Sequence, residues 1–336
     1  MIADRLLECV PNFSEGKSLE TLSSIAEAIR FVPEVTLLHQ DRGESANRTV
    51  FTFAGKPEAV VEAAFRAMEV AANSIDMRLH HGVHPRMGAI DVCPLVPIEG
   101  ITKEEVILLA HKLAKRVGEA LQIPVYLYEQ AATASHRKNL ARIRKGEYEG
   151  FQEKIKHPKW IPDYGPRSFQ PRVGQTVIGA RNFLIAYNIN LSTQEVNIAQ
   201  AIAEEIRESG KVVETDGRKE RIPGKLKCVK AIGWRIPEFG FTQVSTNLVD
   251  MYTTPPHVVF ETVKDLAQRY GTSVTGSELV GLIPRYAMIE AGKFYSDALG
   301  NGQLLEKAYV DLSVEKLGLN HLYAFDPKER VLEYAM

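Results

Sequence analysis

This chain is short of cysteine, of charge of one sign and of long apolar runs, and each shortage closes off a class of function. Its three cysteines, Cys9, Cys93 and Cys228, lie far apart and form neither a CxxC pair nor an even framework. That excludes a disulfide scaffold and fits a reducing cytoplasm. A formal net charge of -1 over 336 residues gives no general field for nucleic acid or for a membrane surface, so an anionic ligand must be held by a local cluster of cations. No uninterrupted apolar run reaches the roughly 18 residues of a membrane span. Arg5 and Glu8 break the opening stretch, so no targeting or anchoring segment is expected.

What is present is an ordinary globular composition, 45% hydrophobic and 25% charged, at a length that suggests two domains. One stretch stands apart. From Met77 to Pro94, His80, His81 and His84 crowd around Gly82, and Pro85, Arg86, Met87 and Gly88 follow. Histidine exchanges protons near neutral pH, and glycine and proline shape loops, so the segment reads as a loop able to move a proton. Arg78 and Arg86 bracket it and offer donors for a carboxylate. Two other readings compete: a solvated turn after a helix, and a metal site using the four-residue spacing of His80 and His84. Gly82 and Pro85 oppose the helix that spacing would need, and no carboxylate or thiolate completes a ligand set nearby in sequence. Proton transfer on an anionic substrate is the preferred reading, with no metal expected.

Apolar patterning predicts strands at 6–10, 35–38, 49–53, 89–96 and 125–128, and helices at 19–29, 57–75 and 103–121, the last capped by Thr102. The first six elements run strand, helix, strand, strand, helix, strand, the split βαβ order of a ferredoxin-like domain. The basic stretch 137–159 reads as a solvated helical connector. Residues 160–179, rich in glycine and proline, read as a linker, although Arg167 and Arg172 among glycines would also make an anion cradle. After Arg181 the order returns, with strands at 183–191, 229–236, 242–248 and 273–283 and helices at 194–209 and 256–270. The expectation is therefore an α+β protein of two tandem ferredoxin-like α/β sandwich subdomains, 1–178 and 179–336, with a ligand groove between them. The segments 306–317 and 327–334 read as terminal packing.

Several runs resemble glutamate formiminotransferases, the transferase half of formiminotransferase-cyclodeaminase. They are Glu8-Cys9-Val10-Pro11-Asn12-Phe13-Ser14-Glu15-Gly16, Asn47-Arg48-Thr49-Val50, His84-Pro85-Arg86-Met87-Gly88-Ala89 with Asp91-Val92-Cys93-Pro94, the segment Asp163 to Gly174, and Gln243-Val244-Ser245-Thr246-Asn247. The similarity spans essentially the whole chain. It implies transfer of the formimino group from N-formimino-L-glutamate to tetrahydrofolate as co-substrate, giving 5-formiminotetrahydrofolate and L-glutamate in histidine degradation. Formyl transfer involving 5-formyltetrahydrofolate, or folate binding without transfer, are the alternatives.

The resemblance makes His84 the catalytic histidine and Gly165-Pro166-Arg167-Ser168-Phe169-Gln170-Pro171-Arg172-Val173-Gly174 the folate-binding loop. It also points to Asp41 as the carboxylate that steadies the amidine cation. His80, Arg48, Arg78 and Arg86 are expected to support the site, and Asp91 reads as a strand-edge charge. No cyclodeaminase half accompanies the match, so a separate cyclodeaminase is expected to release ammonia, and a homodimer is what the family suggests. Partners are small molecules, with no nucleic acid or membrane expected. Arg78 and Arg86, nearest in sequence, are expected to depress the pKa of His84, and a carboxylate at Asp41 would raise it.

Overall fold

The computed structural model describes residues 5–215, 218–236 and 239–336. The chain divides into two compact units between Asn182 and Phe183. The expected junction at 178/179 falls inside a strand of the first unit.

In the first unit the strands are β1 (Leu6–Cys9), β2 (Asn12–Phe13), β3 (Val35–Gly43), β4 (Arg48–Gly55), β5 (Ile90–Glu99), β6 (Val125–Glu129) and β7 (Thr176–Ala180). The helices are α1 (Leu19–Arg30), α2 (Pro57–Ser74), α3 (Lys103–Ala120), α4 (Leu140–Arg144) and α5 (Phe151–Lys154). β1 and β2 lie end to end between β4 and β5, which gives one seven-stranded sheet in the order β3, β4, β1/β2, β5, β7, β6. The first four places are antiparallel and ferredoxin-like, and β7 then joins β5 and β6 in parallel. The supposed linker thus ends in a central strand, buried at every position.

Local chemistry explains the helices. α2 starts with Pro57 at its first turn, where the missing N–H costs nothing. α3 carries a full capping box, Thr102 with Glu105, which satisfies two otherwise orphaned donors. The apolar stripes of α1, α2 and α3 bury Ile25, Phe65, Met68, Leu113 and Val117 against Phe13, Phe51, Phe53 and Ile178 on one face of the sheet.

The opposite face positions the site. Residues directly paired across strands share a face, so Asp41, Val50, Asn12, Val92, Val177 and Tyr126 form one row across it. Part of this face is covered by the stretch expected to be a solvated connector. Ile143, Phe151 and Ile155 are buried there against Val92, Tyr126, Tyr128 and Val177. Its basic residues misled: Lys154 folds its amine back onto the carbonyls of Arg142, Ile143 and Lys145, so the charges serve a packed layer.

The second unit repeats the plan. β8 (Ile185–Leu191), α6 (Val196–Ile206), β11 (Val229–Ile236), β12 (Phe241–Leu248), α7 (Pro256–Arg269) and β13 (Val274–Val280) follow the same order, with the hairpin β9 (Lys211–Thr215) and β10 (Arg218–Ile222) inserted after α6. The four-stranded sheet runs β11, β12, β8, β13, and every neighbouring pair is antiparallel. Two further helices, α8 (Arg285–Ala298) and α9 (Glu306–Lys316), extend its core through Met288, Tyr295, Val310 and Val314.

Gly88 tests how closely the first unit is built. A Cβ there would press on the carbonyl oxygens of Gln175 and Val173, the latter at 2.7 Å. Gly88→Ala is expected to lower the unfolding free energy by about 1–3 kcal/mol, the usual cost of forced overpacking, as read by urea denaturation. An unchanged midpoint would show that the two backbones separate freely.

Candidate active site

Four of the five sequence runs singled out above, all but Gln243 to Asn247 on β12, meet at one end of the first sheet. Ser14 donates its hydroxyl to Gly88 O at 2.7 Å, and Thr49 donates to Glu15 O at 2.6 Å. Asn47 has a left-handed backbone, φ 45°, a conformation asparagine tolerates better than most residues. Its side chain accepts from Gly16 N at 2.9 Å and donates to His81 O at 2.9 Å. Residues 14–16, 47–49 and the histidine loop are therefore one hydrogen-bonded unit.

Within that unit His80 is committed to structure. Its Nε2 lies 2.8 Å from Asn47 O, and its Nδ1 accepts from Arg86 Nε at 3.2 Å. A carbonyl can only accept, so Nε2 carries the proton and the ring is neutral. Burial holds its pKa below the usual histidine range. Arg86 is anchored by Glu149, at 2.6 and 2.9 Å, and by Glu147 at 3.3 Å. With both ring nitrogens of His80 used, a metal pair of His80 and His84 has lost a ligand. Among the described residues no group of three or more His, Cys, Asp or Glu is arranged to hold a metal ion.

The electrostatic centre is Asp91, fully buried on β5. Its Oδ2 accepts from Arg48 at 2.5 Å and from Arg144 at 2.6 Å, and its Oδ1 accepts from Met87 N at 3.0 Å. Burial alone would raise its pKa, but Arg144, Arg48 and His84 outweigh that and bring it to about 2. Two guanidinium groups share one carboxylate, which leaves net positive charge beside His84. His84 is half-buried, and its Nδ1 lies 2.7 Å from Pro85 O, so the neutral ring carries its proton on Nδ1 and its lone pair on Nε2. Burial first, then Arg48 and Arg144, push its pKa down to about 3, against a smaller upward pull from Asp91.

These positions revise several expectations. The direction of the His84 shift is the expected one, but its sources are burial, Arg48 and Arg144. Arg78 instead pairs with Asp76 at 2.9 Å, and Arg86 holds His80. Asp41 lies on β3 with its carboxylate 3.7 Å from His39; it faces the same side of the sheet as Arg48, two places along from the Asp41–Val50 pair. Asp91 is no strand-edge charge but the hub of the cluster, and the available signal was its place in the apolar run Ala89 to Val96, where a charge must be paired. Arg144 was hidden among surface-like basic residues.

Segment 165–174 is stitched to the histidine loop. Ala89 N donates to Val173 O at 2.8 Å, Met77 N donates to Arg172 O at 2.8 Å, and Gly88 pairs with Gly174. Phe169 packs on Tyr148, ring centres 5.3 Å apart. Arg172, expected to meet an anion, donates to Ala72 O at 3.1 Å and to Asn73 O, so its charge sits at the carbonyl end of α2, where a cation is stabilising. Arg167 is exposed.

Two family models match the chain: the formiminotransferase domain, N-terminal subdomain, over residues 6–181, and the formiminotransferase domain over residues 186–336. Formimidoyltransferase-cyclodeaminase of Rattus norvegicus is 48% identical over 98% of this chain, which spans 60% of that relative's length. Glutamate formimidoyltransferases of Streptococcus pyogenes serotype M1 and Thermoplasma acidophilum are 42% and 41% identical over 87% and 90% of this chain, and over 93% and 96% of their own lengths.

The two depressed pKa values make stability fall in acid. His84 titrates at about 3 in the fold against about 6.5 unfolded, so the unfolded chain binds the extra proton between those values, and stability declines as pH drops from about 6.5. Asp91, at about 2 against about 3.9 unfolded, adds its loss only below about pH 4. Urea unfolding between pH 7 and 4.5 should therefore show a decline that His84→Ala flattens. An equal decline in both proteins would place the proton uptake elsewhere.

Proposed function

This chain belongs to the formiminotransferase family, and from that membership we propose that it transfers the formimino group of N-formimino-L-glutamate to tetrahydrofolate, giving 5-formiminotetrahydrofolate and L-glutamate. The observation that carries the proposal is a neutral histidine whose Nδ1 lies 2.7 Å from Pro85 O, held in the field of Arg48 and Arg144. Formimidoyl rather than formyl transfer is the chemistry in the relatives' names.

The chemistry needs one proton moved twice. N5 of the reduced pterin attacks the formimino carbon and loses its proton to His84 Nε2. The carbon then releases the glutamate nitrogen, which takes the proton back from the imidazolium as it leaves, so His84 ends as it began. A base of pKa about 3 is too weak to take that proton in the empty site. Bound glutamate carboxylates would offset the field of Arg48 and Arg144 and raise the imidazole toward its working range. Asp41, on the same sheet face, is the carboxylate assigned to the protonated amidine, with Arg48 and Arg86 fixing the loop around it. Segment 165–174 is assigned to folate, with Arg167 as its exposed cation.

A flat kcat/KM profile from pH 8 to 5 is the expected result, since that quantity reports the free enzyme, whereas kcat reports the complex and should show its acid limb at higher pH. Coincident limbs would remove substrate charge as the trigger.

His84→Ala is expected to lower kcat at least about a hundredfold while folate affinity stays within a few fold, because a proton shuttle acts on the barrier more than on ground-state binding. Near-normal turnover would assign the shuttle to another residue. Arg167→Ala should weaken folate binding by about 1–3 kcal/mol if the contact is a charge-assisted hydrogen bond, and unchanged affinity in calorimetry would remove Arg167 from the folate site.

A further inference from the structure

The strand that carries Asp41 changes face part-way along. Val35 and Leu37 on β3 pack against the helix-covered core, and under regular alternation His39 and Asp41 would point the same way. They do not. Leu37 pairs with Phe53 and His39 with Thr52, which leaves Leu38 as an extra residue, a β-bulge. The bulge turns His39 and Asp41 onto the opposite face, the one that carries Arg48. Bulges re-aim side chains in this way and are over-represented beside active sites. Proton transfer by His84 gives His39 no task, yet the strand is distorted to bring it there.

The polar pair made there is unfinished. Among the described residues His39 Nε2 is buried without a hydrogen-bond partner, and so is the hydroxyl of Thr52 directly across from it. Buried polar atoms are seldom left in that state. His39 Nε2 lies 3.7 Å from a carboxylate oxygen of Asp41, too far for a hydrogen bond but close enough for a small rotation of either side chain to make one. Contacts in catalytic sites are often long without substrate and tighten when it binds. Val50, directly across from Asp41, is apolar, and Arg48, two places along, is committed to Asp91 and to Asn12 Oδ1 at 3.1 Å. His39 is therefore placed to hold Asp41 still from the other side.

We propose that His39 is a positioning residue that acts through Asp41, donating from Nε2 to its carboxylate and so setting the site's preference for a cationic formimino group over a neutral formyl group. The inference rests on the transferase reading above, in which Asp41 meets the protonated amidine. A formimino group presents positive charge and N–H donors where a formyl group has an uncharged acceptor oxygen, so a fixed carboxylate attracts the first and repels the second. A carboxylate free to swing loses both effects. Because the amidine is already charged when it binds, the contact is made in the ground state as well as in the transition state, and its loss falls on binding more than on turnover.

The test combines calorimetry and kinetics on the full chain, with N-formimino-L-glutamate and with N-formyl-L-glutamate, which has the same carboxylates and no charge on the transferred group. His39→Phe keeps a ring and loses the donor, and it should raise Kd and KM for N-formimino-L-glutamate about tenfold, the scale of one hydrogen bond to a charged group. Its kcat should stay within a few fold, and N-formyl-L-glutamate affinity should not change. His39→Gln, which carries a donor at similar reach, should restore the affinity, and in an Asp41→Ala background His39→Phe should have no further effect. His39→Leu takes the place of His39→Phe should that variant fail to fold. Unchanged affinity for N-formimino-L-glutamate, equal weakening of both ligands, or an undiminished effect in the absence of Asp41 overturns the proposal. Wild-type protein that binds N-formimino-L-glutamate without transferring its formimino group removes the transferase reading, and the affinities of the variants then decide the role of His39; a wild type that does not bind it overturns both.

Discussion

The site in the first unit depends on one buried carboxylate. Asp91 sits on a central strand, where an unpaired charge would cost several kcal/mol, and it draws Arg48 from β4 and Arg144 from the covering layer onto a single oxygen. It also fixes the start of the loop through the Met87 amide. Because the two guanidinium groups outnumber the carboxylate, the cluster is held together and yet leaves His84 in a positive field. Structural and electrostatic roles are here the same contact, and an anionic substrate is what such a field suits.

The backbone around the cluster follows from this. Ser14, Thr49 and Asn47 tie three separated runs into one loop assembly, and Arg86 with its two glutamates fixes His80 as a neutral prop. Segment 165–174 pairs its backbone with the same loop before entering β7. These contacts fix the backbone that carries His84, so their sequence runs are distinctive without all of them touching a ligand.

Much of this was legible in the chain itself. The alternating order of elements, the Thr102 cap and the concentration of histidines all came from local rules, because each rests on neighbours in sequence. What was not legible required partners from elsewhere. The basic stretch 137–159 looked solvated because nothing local shows that Lys154 is spent on carbonyls or that Arg144 reaches Asp91. Arg172 looked like an anion ligand because the end of α2 it caps lies about a hundred residues away. Arg78 and Arg86 looked like the neighbours of His84 because proximity in sequence stood in for proximity in space. β7 reads as linker because glycine and proline precede it, although it opens with the β-branched run Thr176-Val177-Ile178. α8 escaped notice because its buried stripe is built largely of small residues, Ala287, Ala291 and Gly292 among them.

The proton relay stands or falls on the state of His84 in the unliganded protein. Nitrogen NMR of the imidazole, recorded at pH 6 with His84→Asn to assign the signal, measures that state directly. A neutral ring protonated on Nδ1, with no titration until well below pH 5, is the predicted result. An imidazolium at pH 6, or a neutral ring protonated on Nε2, would contradict it, because the lone pair that is to take the proton would then be absent or turned toward Pro85.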